Sequence, residues 1–269
     1  METIVLIHGL WMTPRSWDSW KERYESQGHT VLAPAWPGMD RTVAEINADP
    51  APLTGYGMAE VIDLYDTIIR DLDEKPIIMG HSMGGAVTQV LVDRGLGKAA
   101  VGVAPATVKG IPDLPFSTIR SSRSVLGNPF NRNKATALNR KQFHYAFANT
   151  MDQAESDVIY EAQAVPAVNN VLFDVAFANL HRHAPTEVDF ENGDRAAMLL
   201  IGFEEDHVVP PKVVWHNTIK YHGSEAITAF HEFAGRPHYP GAPGWEEVAD
   251  FALAWALDPT HEIEDSEVF

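Results

Sequence analysis

The chain is 269 residues long, 45% hydrophobic and 21% charged, which is enough apolar material for a substantial globular core. Its 37 acidic residues outnumber 20 basic ones, for a formal net charge of −17. A surface so negative repels phosphate backbones and anionic lipid heads, so neither nucleic-acid nor membrane binding is expected.

Cysteine is absent, which removes disulfides, thiolate metal sites and a thiol nucleophile together. The N-terminus is acidic, and its first apolar run is too short for a signal-peptide core. No stretch approaches the roughly 18 apolar residues of a membrane span. These features predict a cytoplasmic protein.

In chain order, Ile4 to Ile7 reads as a buried strand ending at His8-Gly9-Leu10-Trp11. Trp17, Trp20 and Tyr24 follow at helical spacing, in a helix opening near Pro14 and closing near Gly28. Thr30 to Ala33 is the second strand and Pro34 to Gly38 the turn after it. Residues 41–54 are polar and read as a loop or short helical piece. Met58 to Asp71 is an amphipathic helix with Val61, Ile62, Leu64, Tyr65, Ile68 and Ile69 on its apolar face. A third strand, Ile77-Ile78-Met79, leads through a tight turn into a helix ending near Arg94, and Ala99 to Val103 is a fourth strand. Buried strands alternating with helices place the protein in the α/β class, with a parallel sheet covered on both faces.

The alternation stops at Pro105. Residues 111–134, rich in Pro, Ser, Arg and Asn, read as an extended connection. Helical patterns occupy 135–149, 152–164 and 170–180. The chain thus divides into a core, residues 1–105 and 195–269, and an inserted helical cap, residues 106–194. Strand patterning resumes at Ala197 to Gly202 and Ala226 to Phe230, with a helix over 210–221 between them and a last helix from Trp245 to Leu257. Residues 258–269 are acidic and read as frayed.

Gly80-His81-Ser82-Met83-Gly84 has the G-x-S-x-G pattern, and a buried strand before it with a helix after it is the context of a nucleophile elbow. A Gly-rich turn that only binds phosphate would call for the Lys-Ser/Thr of a P-loop or G-x-G-x-x-G spacing, and neither is present. A serine hydroxyl needs a base, a group to orient that base, and donors for an oxyanion. In a parallel sheet these belong at the carboxyl ends of strands. Glu204, Glu205 and Asp206 follow the strand ending at Gly202; Asp206 is preferred because Val208-Val209-Pro210 anchors its loop, and capping of the next helix is its alternative role. His231 and His238 compete as the base, and His238 is preferred for its Gly/Pro-rich loop ahead of the last helix. The backbone N–H groups of Met83 and Leu10 are the candidate oxyanion donors, Gly9 allowing close approach. Without cysteine or an H-E-x-x-H pattern, no metal or cofactor is expected.

His8-Gly9, Pro34-Ala-Trp-Pro-Gly38, the elbow, Gly202 to Asp206 with its Val-Pro, and His238 together resemble the α/β-hydrolase superfamily, in its order of nucleophile, acid and histidine. The resemblance covers residues 1–105 and 195–257. It implies the α/β-hydrolase fold, a mostly parallel sheet of about six strands flanked by helices with a cap inserted. Two departures stand out. The strand before His8 opens the chain, which predicts a six-stranded, all-parallel core without the antiparallel edge strands many members carry first. The loop after the second strand reads Pro-Ala-Trp-Pro-Gly-Met rather than the common Pro-Asp-x-Pro-Gly. The expected function is a serine esterase acting on a small-molecule ester or lactone with Ser82, His238 and Asp206, and with Trp11, Phe143 and Phe147 in the substrate pocket. A lactonase, perhydrolase or carbon–carbon hydrolase or lyase on the same triad, and a non-catalytic small-molecule receptor, are the alternatives.

Overall fold

The structure, a computed structural model, describes residues 1–113, 115–260 and the backbone of 267–268. Its strands are β1 (Thr3–Ile7), β2 (Thr30–Leu32), β3 (Ile77–His81), β4 (Ala99–Val103), β5 (Ala135–Thr136), β6 (Ala167–Val168), β7 (Ala197–Phe203), β8 (Thr228–Phe233) and β9 (Glu267–Val268). Its α-helices are α1 (Asp18–Ser26), α2 (Val43–Ala48), α3 (Met58–Arg70), α4 (Met83–Asp93), α5 (Phe116–Leu126), α6 (Arg140–Phe147), α7 (Gln153–Gln163), α8 (Asn169–Ala176), α9 (Pro211–Ile219) and α10 (Trp245–Leu257).

The main sheet has the order β2-β1-β3-β4-β7-β8-β9. Its first six strands pair in parallel, as expected. β9 adds an antiparallel edge, Val268 opposite Ala229. The fraying expected over 258–269 falls mainly on 261–266 and 269, outside the described residues. β3 and β4 are buried along their whole length, β1 from Ile4 onward, and all three are apolar runs because both sheet faces are covered. Successive residues point to opposite faces. Val5, Ile7 and Ile78 face the core built with α3, α4 and α9, whereas Ile4, Leu6, Ile77 and Met79 face Trp17, Trp20, Val248 and Trp255 of the α1 and α10 side.

The chain runs from β1 to β2 on one side and then returns to β3 on the other. Adjacent strand ends therefore diverge at β1 and β3, the switch point at which open α/β sheets leave a crevice. The carboxyl ends of these two strands are His8-Gly9-Leu10 and His81-Ser82.

Between β4 and β7 the chain forms α5 to α8 and the small antiparallel pair β5–β6. This insertion bonds to the edge of the crevice: Trp11 Nε1 donates to Thr136 O at 3.1 Å, and Val165 N to Trp11 O at 3.0 Å. Two expectations are corrected. Residues 111–134 are not an extended connection, because α5 occupies 116–126; its buried positions are Ser121, Ser122 and Val125, so its inner face is too polar to register as an apolar stripe. The strand expected to end at Phe230 continues to Phe233, because the long β7 offers partners as far as Phe203.

Trp20 shows how the layers fix the loops above the sheet. It is fully buried, packs edge-on against Trp17 at 4.9 Å, and donates from Nε1 to Pro240 O at 3.0 Å. The replacement Trp20→Phe leaves that carbonyl without its donor, at a cost of about 1–3 kcal/mol. A lowered urea midpoint with an unchanged m-value is the expected result.

Candidate active site

Ser82 is the last residue before α4 and has φ 53° and ψ −118°, a left-handed conformation rarely adopted by residues other than glycine. Close packing enforces it. A Cβ on Gly80 would lie 2.1 Å from Gly84 O, and one on Gly84 would lie 2.2 Å from Ile7 O. The strand, the turn and the first turn of α4 therefore meet without room for side chains at either flanking position. Trp11 (φ 64°) and Ala104 (φ 43°) are the other non-glycine residues with positive φ among those described, and both follow neighbouring strands. Ala106 N bonds to Ser82 O at 2.8 Å and Ser82 N to Val103 O at 3.0 Å, so the strained turn is tied to the β4 exit.

His238 and Asp206 converge on the serine from the exits of β8 and β7. His238 Nε2 lies 3.0 Å from Ser82 Oγ, and His238 Nδ1 lies 2.5 Å from Asp206 Oδ2. The carboxylate can only accept, so Nδ1 carries the proton and Nε2 faces the hydroxyl with a lone pair. Asp206 Oδ1 accepts from Val208 N at 2.6 Å and Val209 N at 2.8 Å. Asp206 is thus aimed by its own loop; α9 begins only after Pro210. Glu204 and Glu205 are exposed. His231 lies within β8 and packs on Phe251 at 4.2 Å, away from the serine. The three residues preferred in the sequence are therefore the three that meet.

Leu10 and Met83 line one pocket with Ser82. Met83 opens α4, so its N–H is among the helix-terminal donors without an intrahelical acceptor. A Cβ at Gly9 would lie 2.9 Å from Ser82 Cβ, which is why the β1 exit can approach this closely. His8 fixes that exit. Its Nδ1 donates to Gly9 O at 2.9 Å, its Nε2 accepts from Trp36 N at 3.3 Å, and its ring packs on Trp36 at 4.6 Å. The departing Pro-Ala-Trp-Pro-Gly loop thereby supplies the ring that covers His8.

Of the expected pocket residues, Trp11 lines the pocket and Phe143 and Phe147 do not. Phe147 packs edge-on against His238 at 5.1 Å, and Phe143 stacks on Phe147 at 5.1 Å. Phe147 seats the imidazole, while Phe143 backs Phe147 and lines a smaller cavity with Trp11. The pocket wall comes instead from α5, α8 and the loop after Asp206, including Thr118, Ser122, Leu126, Leu172, Val175 and Val208. Thr118, Ser122 and Leu126 are spaced i, i+4, i+8, a helical period that hydropathy alone conceals because two of the three are hydroxylated.

His81, beside the serine, carries no functional signal of its own in the sequence. Its Nε2 donates to the His238 carbonyl at 2.8 Å and its ring lies 4.7 Å from that of His238. Burial, with the neighbouring His238 adding to it, holds the His81 imidazole well below its usual pKa. His81 is therefore neutral and supports the histidine loop through a backbone bond.

The chain matches the model of the Alpha/beta hydrolase family over residues 4–252, and it belongs to that family. Comparison with curated proteins finds no match. Among solved structures, it is similar to an extracellular alpha/beta-hydrolase from a Paenibacillus species, described as sharing structural and functional homology with tobacco salicylic acid binding protein 2, at 20% identity and TM-score 0.65 over 95% of this chain and 99% of that one. It is similar to a monoacylglycerol lipase of Paleococcus ferrophilus, at 20% identity and TM-score 0.63 over 95% and 93%. A pyrethroid hydrolase of Sphingobium faniae JZ-2 aligns at 19% identity and TM-score 0.61 over 96% and 98%. At these identities the likeness is one of fold. No helix among the described residues is long and apolar enough to cross a membrane.

The buried histidines set a pH dependence of stability. Burial pushes the His8 imidazole down to about 4, against about 6.5 in an unfolded chain. Between those values the unfolded state binds the extra proton, so stability is full above about pH 6.5 and falls as pH drops toward 4. His81 acts in the same direction. Urea unfolding at pH 5 is expected to show about 1–3 kcal/mol less stability than at pH 7, and His8→Asn is expected to flatten the difference.

Proposed function

We propose that the protein is a serine hydrolase that cleaves carboxylic esters of small molecules through an acyl-enzyme. The observation that carries this reading is the hydrogen-bonded line from Ser82 Oγ to His238 Nε2 at 3.0 Å and from His238 Nδ1 to Asp206 Oδ2 at 2.5 Å. Ser82 Oγ attacks the ester carbonyl carbon as His238 Nε2 takes its proton. Asp206 holds the Nδ1–H tautomer and stabilises the imidazolium that forms. The carbonyl oxygen becomes an oxyanion held by the Met83 and Leu10 N–H groups, which act where charge develops. Collapse of the intermediate expels the alcohol, protonated by His238. A water that gives its proton to His238 then attacks the acyl carbon, and the acid leaves as Ser82 regains its hydrogen.

Burial supports this scheme. Ser82, His238 and Asp206 are 5%, 0% and 3% exposed, so their hydrogen bonds act in a medium less screened than water. The helical insertion serves as the cap, and the apolar side chains of Trp11, Leu126, Leu172, Val175 and Val208 suit an ester with an apolar group next to the scissile bond. The lipase and pyrethroid hydrolase among the similar structures accord with a small-molecule substrate.

On p-nitrophenyl esters of increasing chain length, Ser82→Ala and His238→Ala are expected to lower kcat on the order of 10³-fold or more. A fluorophosphonate should label the wild type at Ser82 and leave Ser82→Ala unlabelled. Wild-type turnover by Ser82→Ala overturns the reading.

A further inference from the structure

Asp113 is the one acidic residue among those lining the pocket that opens on Ser82. The mechanism does not use it. His216 on α9 donates from Nδ1 to Asp113 Oδ1 at 2.7 Å, and the His216 and Asp113 side chains retain 34% and 25% exposure. One such bond occupies a fraction of what a carboxylate can accept, since its two oxygens offer about four lone-pair sites.

The segment carrying Asp113 is held in place rather than loosely draped. Asn179 accepts from Gly110 N at 2.6 Å and donates to Ile111 O at 2.9 Å, and Lys109 N bonds to Thr186 O at 3.0 Å. Gly110 takes φ 105°, and a Cβ there would lie 2.9 Å from the Phe190 ring. Thr118 on α5, also in the pocket lining, is fixed by donation to Val208 O at 2.7 Å and keeps lone pairs to accept with. The backbone leading to Asp113 is therefore held in place beside the pocket, and the side chain is held by His216.

Filling this pocket with a wholly apolar group would strip water from Asp113 and leave it with His216 as partner, a desolvation penalty that a ligand bearing its own donor avoids. We propose that Asp113, oriented by His216, is a specificity-determining residue, and that the substrate carries a hydrogen-bond donor, a hydroxyl or an ammonium, on its non-reacting part. The proposal rests on the ester-hydrolase reading and names the substrate class within it. An anionic group at that position is disfavoured by the same carboxylate.

The test compares p-nitrophenyl alkanoates with their ω-hydroxy and ω-amino counterparts in graded chain lengths, in wild type, Asp113→Asn, Asp113→Leu and His216→Phe. The readout is the ratio of kcat/KM for the donor-bearing ester over the plain one, which cancels any general loss of folded enzyme. At the best chain length the wild type is expected to favour a donor-bearing ester, and Asp113→Leu to lower the ratio about 10- to 100-fold. Asp113→Asn separates the donors, since an uncharged acceptor retains hydroxyl preference and loses ammonium preference. Equal ratios in wild type and Asp113→Leu at every length overturn the proposal and leave the Asp113–His216 pair a tie between the insertion and α9. Calorimetry of ω-hydroxyalkanamides against plain alkanamides on Ser82→Ala protein reads the same preference without turnover. If Ser82 of the wild type resists fluorophosphonate while that preference persists, the hydrolase reading falls and the binding site stands. If Ser82 labels and the preference is missing, the reverse holds.

Discussion

The contact on which the site depends is the one between Gly84 and the end of β1. A Cβ on Gly84 would come within 2.2 Å of Ile7 O and 2.7 Å of His8 O, and one on the next residue, Gly85, within 2.5 Å of Pro105 Cβ. The first turn of α4 is thus pressed against the exits of both β1 and β4. Such close approach forces the chain through the left-handed conformation at Ser82, because no gentler turn joins β3 to a helix lying so near its neighbours. It also brings Leu10 and Met83 to one pocket with Ser82. Backbone packing, set by residues without side chains, does the positioning that side-chain contacts could not do as rigidly.

Charge in this buried region is controlled by tautomers. His8, His81 and His238 are all fully buried, and each imidazole has a different donor and acceptor arrangement. His8 uses both ring nitrogens on backbone groups, donating at Nδ1 and accepting at Nε2. His81 donates at Nε2 to the His238 carbonyl. Neither has a carboxylate partner in the described contacts, and burial depresses the pKa of both. His238 alone of the three faces a carboxylate. Burial thus keeps His8 and His81 neutral beside the one ring that has a carboxylate partner. The His81 ring lies only 4.7 Å from that of His238, so the two imidazoles share one buried space.

The strands and the three meeting residues were legible in the sequence because their constraints are local. A parallel strand buried on both faces is written as an uninterrupted apolar run, and the elbow requires glycine at fixed offsets from the serine. Asp206 and His238 could be selected because each follows a strand and sits in a loop with Pro or Gly anchors. What escaped depended on partners distant in the chain. Phe143 and Phe147 read as pocket walls from their composition, yet Phe147 packs against His238, a neighbour roughly ninety residues on that periodicity cannot reveal, with Phe143 behind it. Helix α5 escaped because Ser121 and Ser122 fill two of its three buried positions, so it carries no apolar stripe. The end of β8 was hidden by His231 and Glu232, polar residues kept in the strand by pairing with Ile201 and Gly202.

The insertion is bound into the acid and base loops on several sides at once. From α5, Thr118 donates to Val208 O and Ser121 to His207 O. From the α6 side, Tyr145 O accepts from His207 Nδ1, Asn149 donates to Glu205 O, and Phe147 O accepts from Tyr239 N. The Tyr145 ring stacks on His207 at 4.4 Å, next to the carboxylate that orients His238. These bonds grip the residues on either side of Asp206 and directly after His238. The same α5 that grips Val208 through Thr118 also forms pocket wall with Ser122 and Leu126. Pocket shape and the geometry around the serine are thus coupled through a single helix. A substitution that reshapes the wall on α5 also shifts a clamp on the acid loop, whereas one on α8, at Leu172 or Val175, changes the wall without touching that clamp.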